Sequence, residues 1–448
     1  MDLFGTAGIR GPVTEVTPAL ALAVGRAAGV DGDEFVVGRD GRETGQALAA
    51  AMTAGLESAG ANVERVGPVP TPTLAYASRG RRGVMLTASH NPSADNGIKL
   101  FVDGREYDSD AETRIERRVA DDAGQTAWDR WGTTARADPL PDYRSAVADF
   151  AASHGADPTA LTVAVDCGNG MASLATPQVL TDFGADVIAL NANVDGHFSA
   201  RDSKPTPETL ADLREFVADG DADIGIGHDG DADRIVVVDA AGDVVHEDTI
   251  LAILAEHYTR QSDAGDPVVV TTPNASARID ERVRAAGGRT ERVHLGGLHE
   301  GIARVRADGD DETAVVFAAE PWKHIHPDFG GWIDAVASAA VLARLVAADG
   351  LAALREPITE RPYRKESVSC PDDSKAAVMD RLQSTLPEQF PEATVETEYG
   401  VRLTLPDDSW TLVRPSGTEP YVRVYAESDD VDALTDTVVD AVDRAIDQ

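Results

Sequence analysis

Short β-branched runs alternate with Ala-rich stretches of helical spacing through most of this chain, and that rhythm admits few folds. The strand Phe35-Val36-Val37-Gly38 is followed by a helix around 47–58, then by strands at 62–66 and 83–87. The pattern returns with a strand at 161–166, a helix at 175–183, a strand at 186–190, a helix at 208–218 and a strand at 223–227. A third round covers 268–271, 276–286, 291–294 and 315–318. Strand–helix–strand units in series bury both faces of a mostly parallel sheet, so three similar doubly wound α/β domains are expected. After Pro357 the rhythm changes: strands at 395–399, 401–405, 410–414 and 421–427, closed by a helix at 431–446, predict a smaller α+β domain. The expected divisions are 1–140, 141–242, 243–357 and 358–448, which suits a chain of 448 residues.

Charge narrows the function. Forty basic residues against seventy-seven acidic ones leave a net charge of −37, a field that repels nucleic acid and anionic membranes. Only five of the basic residues are lysines, and this acidic, Lys-poor balance resembles proteins of halophilic archaea. No apolar run is long enough for a membrane span, and Met1-Asp2-Leu3-Phe4-Gly5 has no signal-peptide character, so a cytoplasmic protein is expected. Cys167 and Cys370 are far apart in sequence and make no metal spacing. A surface this negative also repels sugar phosphates, so a phosphate site has to be assembled locally from cations, backbone N–H groups or metal.

Three loops meet that requirement. The strand 83–87 runs into Ala88-Ser89-His90-Asn91-Pro92, which puts Ser89 at the carboxyl end of a strand, where open α/β sheets place ligands. A serine hydroxyl accepts a phosphoryl group when metal and cations neutralise the transferring oxygens, although an ordinary loop Ser before an Asn-Pro turn reads the same way. Lys99 follows in a chain that prefers Arg, and lysine, unlike arginine, can lose its proton to do general acid/base work. Arg10, flanked by Gly8 and Gly11, offers a fork suited to phosphate oxygens.

The second loop, His228-Asp229-Gly230-Asp231-Ala232-Asp233-Arg234, sets three carboxylates at alternate positions between two apolar strands, with Gly230 free to bend the backbone. A calcium loop of the EF-hand type needs Gly where Arg234 stands, Glu where Ala240 stands, and flanking helices, so Mg²⁺ fits better. The third, Arg414-Pro415-Ser416-Gly417-Thr418-Glu419-Pro420 with Arg423 just beyond, combines guanidinium groups, hydroxyls and backbone N–H groups into an anion nest, or else a plain hairpin turn.

Taken together, Thr87 to Pro92, Asp229 to Arg234 and Arg414 to Pro420 resemble the α-D-phosphohexomutase family, which includes phosphoglucomutase, phosphomannomutase and phosphoglucosamine mutase. The resemblance spans the whole chain and implies four domains around a central cleft. It implies that Ser89 carries the phosphoryl group and that Asp229, Asp231 and Asp233 hold one Mg²⁺ together with a Ser89 phosphoryl oxygen. Lys99, Arg10 and His90 would assist proton transfer and charge neutralisation. Arg234, Glu320, Lys323, His324, Arg414, Ser416, Gly417, Thr418 and Arg423 would bind substrate. One motif departs: where the family has Gly-Glu-x-Ser-Gly-His, this chain reads Ala319-Glu320-Pro321-Trp322-Lys323-His324. The implied reaction interconverts hexose 1- and 6-phosphates of the glucose or mannose type, with hexose 1,6-bisphosphate as activator, in a monomer or homodimer that meets only small sugar phosphates. Phosphoglucosamine mutase is the alternative within the family; a metal-dependent sugar phosphatase and a non-catalytic sugar-phosphate-binding protein are the alternatives outside it.

Overall fold

The computed structural model describes residues 3–5, 8–122, 124–416 and 420–447. The fold is mixed α/β. The chain divides into two compact units, Met1–Ile250 with Val316–Arg355, and Leu251–Val315 with Glu356–Gln448.

The first unit opens with a sheet in the order Ile9–Pro12, Asp95–Val102, Arg82–Leu86, Glu34–Arg39, Asn62–Pro68, Thr134–Arg136. Its centre is parallel, with Glu34–Arg39 between Asn62–Pro68 and Arg82–Leu86, while Asp95–Val102 returns antiparallel to Arg82–Leu86. The strand Asp95–Val102 has no alternation to announce it, because six consecutive residues, Asn96 to Phe101, are buried. A second sheet, in the order Ile235–Val238, Ile224–His228, Thr162–Asp166, Asp186–Leu190, repeats the plan: a parallel core with one antiparallel return. The helix Ala211–Asp219 covers it with Leu213 and Val217, each contributing about 1.5–3 kcal/mol by burial. Further along, Thr313–Glu320 turns back through a two-residue connection into Lys323–Ile325.

The recurring hairpin has a functional consequence. A parallel strand delivers the chain to the carboxyl edge of its sheet and an antiparallel strand takes it away, so the tight connection between them is fixed at both ends. Ser89, the Asp229–Asp233 loop and the Glu320–Lys323 turn all occupy such connections.

In the second unit, Asp266–Thr271 pairs in parallel with Arg289–Arg292. The C-terminal part is an antiparallel sheet in the order Tyr363–Ser369, Tyr421–Glu427, Trp410–Pro415, Val401–Thr404, Thr394–Glu396, packed under the helices Lys375–Gln389 and Val431–Ile446. A buried ion pair, Arg278 to Glu427 at 3.0 Å, ties the helix Ala277–Ala285 to this sheet, and Trp410 Nε1 donates to the same carboxylate at 2.9 Å. Among the described residues, no helix is long and apolar enough to cross a membrane.

Candidate active site

Ser89 leaves the strand Arg82–Leu86 fully buried and with φ at +50°, a left-handed conformation that costs a non-glycine residue about 1 kcal/mol or more. Its hydroxyl donates to Asp229 Oδ2 at 2.7 Å and lies 3.4 Å from both Asp233 Oδ1 and His90 Nδ1. The two loops found separately in the sequence therefore meet at this oxygen.

Asp229, Asp231 and Asp233 are buried, and a ligand oxygen from each lies within 4.8 Å of the others. Burial pushes the Asp229 carboxyl well above the ordinary range, and the neighbouring Asp233 and Asp231 add to it. Asp233 goes the other way: burial opposes its charge, but Lys99, Lys323 and Arg234 overrule burial and hold it well below. Asp231 Oδ2 accepts from Thr71 at 2.6 Å, whereas its buried Oδ1 has no hydrogen-bond partner among the described residues. A hard cation answers both the mutual repulsion and the unmatched oxygen, so the residues fit a divalent metal.

The backbone differs from expectation in one respect. Ala232, at φ +61°, takes the left-handed position, while Gly230 is there for close approach. A methyl group on Gly230 would stand 2.9 Å from Ser89 O and 3.0 Å from the Phe198 ring. If these loops form a catalytic site, Gly230→Ala should push them apart and lower activity by about tenfold to a hundredfold with saturating divalent cation; unchanged activity would remove the coupling.

Cations ring the carboxylates. Lys99 is buried on the strand Asp95–Val102, with Nζ 2.8 Å from Asp233, 3.6 Å from Glu106 and 3.8 Å from Asp231. Burial alone would lower its pKa, but those three carboxylates raise it above the ordinary lysine value, so this ammonium is held protonated. Arg234 lies 3.9 Å from Asp229 and 3.8 Å from Asp233. Arg10, paired with Gly97 across the sheet, acts electrostatically on His90 and Lys99. His90 itself is lowered to about 3 by burial first, then by Arg234 and Arg10. It is a neutral imidazole, and the positive charge around Ser89 resides on the guanidinium and ammonium groups.

At the departing motif, Glu320 pairs with Lys323 at 2.8 Å across the turn. Trp322 holds φ at +69°, in the turn position where glycine is usual, and its carbonyl accepts from Ile235 N at 3.1 Å. Its indole packs on the second sheet's core and faces Arg234 at 6.0 Å. His324 points inward: Nδ1 is 3.0 Å from Ser338 Oγ, which also meets His326 Nε2 at 2.9 Å. Burial lowers His324 to about 3 and, with His324 and His154 nearby, His326 well below the ordinary value. Both are more basic when unfolded, so the stability they contribute is complete above about pH 6.5 and is lost as pH falls toward 3. Melting between pH 7 and 5.5 should show stability dropping by about 1 kcal/mol per histidine, and His326→Gln should flatten that slope.

In the second unit, Arg414 and Arg423 sit directly opposite on paired strands, a like-charge pair that favours an anion between them. Arg414 also donates to Tyr425 Oη at 3.0 Å. Lys375, which sequence reasoning did not single out, donates to Ser416 O at 2.7 Å. Gly417 and Thr418 lie outside the described residues.

Several residues around Ser89 also escaped the sequence reading. Arg42 and Asp40 support its loop together with Thr87 of the motif, and Arg201 bridges Asp166 and His228 O. A usable signal was present in Arg39-Asp40-Gly41-Arg42, a charged cluster at the carboxyl end of an apolar strand.

Comparison with known proteins adds an independent line. Three family models match: phosphoglucomutase/phosphomannomutase alpha/beta/alpha domain I over residues 1–125, domain II over 141–242, and the C-terminal domain over 368–444. The chain is 41% identical over 437 residues to a phosphopentomutase of Thermococcus kodakarensis, covering 96% of this chain and 94% of that protein. It is 40% identical over 460 residues to a probable phosphoglucosamine mutase of Methanopyrus kandleri, covering 99% and 98%. Among solved structures, a phosphoglucomutase/phosphomannomutase family protein from Burkholderia thailandensis superposes with a TM-score of 0.86 at 26% identity, covering 99% of this chain and 96% of that one.

Proposed function

From the premise that this chain belongs to the α-D-phosphohexomutase family, and is an isomerase that moves a phosphoryl group within one substrate, we propose that Ser89 is its phosphoryl carrier. The observation that carries this reading is the Ser89 hydroxyl, 2.7 Å from Asp229 in a buried three-carboxylate cluster flanked by Lys99, Arg10 and Arg234. Asp229, Asp231 and Asp233 would hold a Mg²⁺, and a cation bound there would neutralise charge on the transferring oxygens. Arg10 and Arg234 bind those oxygens, and His90 orients the Ser89 hydroxyl. Lys99, a buried ammonium 2.8 Å from Asp233, is the group placed to give a proton to the substrate and to take it back once given. Transfer from phosphorylated Ser89 to the free hydroxyl of a sugar monophosphate gives a sugar bisphosphate, and return of its other phosphoryl group to Ser89 releases the isomer and restores the carrier. Arg414, Ser416 and Arg423 form a second phosphate site in their own unit, and the four divisions expected from the sequence remain our proposed domain organisation.

For the sugar, the relatives' names favour glucosamine phosphate at least as well as glucose or mannose phosphate, and the Thermococcus relative adds a pentose phosphate. Assays with glucosamine 6-phosphate, glucose 1-phosphate, mannose 1-phosphate and ribose 1-phosphate, with Mg²⁺ and a trace of bisphosphate, in low and in molar salt, rank them. Isomerised product in excess of inorganic phosphate is expected; the reverse would make the protein a phosphatase.

A further inference from the structure

We propose that Arg42 is a positioning residue that locks the Ser89 loop into its reactive conformation, a role that rests on Ser89 being the phosphoryl carrier. Every guanidinium donor is committed. Nε bonds Asp40 Oδ2 at 3.0 Å; one terminal nitrogen bonds Pro92 O, and Asp95 O at 2.9 Å; the other bonds Ser89 O at 2.9 Å and Asn91 O at 2.7 Å. Four carbonyls of the segment 89–95 thus point inward at one cation. Without it their dipoles repel, and the loop has no reason to keep Ser89 in the left-handed region.

Arg42 is itself held. Its side chain is fully buried and its guanidinium lies 5.0 Å from the centre of the Phe198 ring, the same ring that closes on Gly230 of the metal loop. Asp40 takes Arg42 N at 3.0 Å through Oδ1, and through Oδ2 it accepts from Thr87 Oγ1 at 2.7 Å. Thr87 Oγ1 in turn accepts from Ser89 N at 2.8 Å. The loop is therefore gripped through its carbonyls by Arg42 and through the Ser89 amide by Thr87, with Asp40 joining the two. None of these groups touches the Ser89 hydroxyl, so the effect is on where that hydroxyl points.

Lysine at position 42 keeps the charge but has three donors on a point ammonium in place of a planar fork of five. Arg42→Lys should lower kcat by about a hundredfold while leaving KM for the sugar phosphate and the Mg²⁺ activation constant within about twofold, since the three aspartates and the phosphate-binding arginines are on other segments. Asp40→Asn, which leaves Arg42 in place but weakens its anchor, should lower kcat in the same selective way and supplies the test should Arg42→Lys fail to fold. Wild-type kcat in a folded variant, even one with a lowered melting temperature, would reduce Arg42 to a structural role and overturn the proposal, as would a loss confined to KM or Mg²⁺ activation. Ser89→Ala and mass measurement of the Ser89 peptide run alongside. Full activity in Ser89→Ala would overturn the carrier reading itself; an inactive Ser89→Ala with phosphate on the wild-type peptide, and unimpaired Arg42→Lys and Asp40→Asn, would overturn only the positioning role.

Discussion

Ser89→Ala should turn over at least about four orders of magnitude more slowly than the wild-type enzyme, the scale on which removing a nucleophile acts, while folding normally. The expectation follows from how little else the hydroxyl does. Its fold-related bond is the one to Asp229, and losing a single hydrogen bond costs about 1 kcal/mol. Alanine tolerates φ near +50° as poorly as serine does, so backbone strain is unchanged. Thr87 Oγ1 still accepts from the amide of residue 89, and Arg42 still donates to its carbonyl. A folded, inert protein whose peptide 83–95 no longer carries phosphate is the predicted outcome, measured by coupled turnover, circular dichroism and mass spectrometry. Residual activity within about tenfold of wild type would mean that another group accepts the phosphoryl, and the mechanism would have to be rebuilt around it.

Asp231→Asn should separate stability from activity in opposite directions. Asp231 shares a buried space with two other carboxylates, so in EDTA the amide removes like-charge repulsion, and the melting temperature should hold or rise. Thr71 can still donate to the side-chain oxygen, and Lys99 keeps its shorter contact to Asp233. With Mg²⁺ present the order reverses: the wild type gains stability from the cation by mass action, the variant gains less, and turnover falls by about a thousandfold. Melting curves with EDTA and with Mg²⁺, beside kcat, decide it. A variant that melts several degrees lower in EDTA would show that the three carboxylates are held by their cations alone and need no metal.

The contrast between the two loops shows what kind of information a sequence holds. Ser89 and the Asp229–Asp233 loop were legible because each is a local pattern with a chemical purpose at the end of a recognisable strand. The strand carrying Lys99 was not, since Asn96 to Phe101 are buried on both faces and leave no period to read. Lys99 was noticed for its rarity, yet the sense of its pKa shift came from Glu106, Asp231 and Asp233, of which two are more than a hundred residues away. His90 was expected to help neutralise charge; burial, helped by the arginines folded around it, makes it neutral instead. Gly230 was read as a bend and proved to be a gap kept for Ser89 O and Phe198.

The sequence by itself determined the alternation of strands and helices, the polar groups that each of the three loops presents and the family to which the chain belongs, because those rest on residues adjacent in the chain. Tertiary structure alone decided that Ser89 and Asp229 share a hydrogen bond, that Glu320 is spent on Lys323, and that Arg42 gathers four carbonyls of the Ser89 loop. Protonation states and loop conformations belong to that second group. They depend on burial and on charges brought close from distant segments, quantities that exist only once the chain has closed on itself.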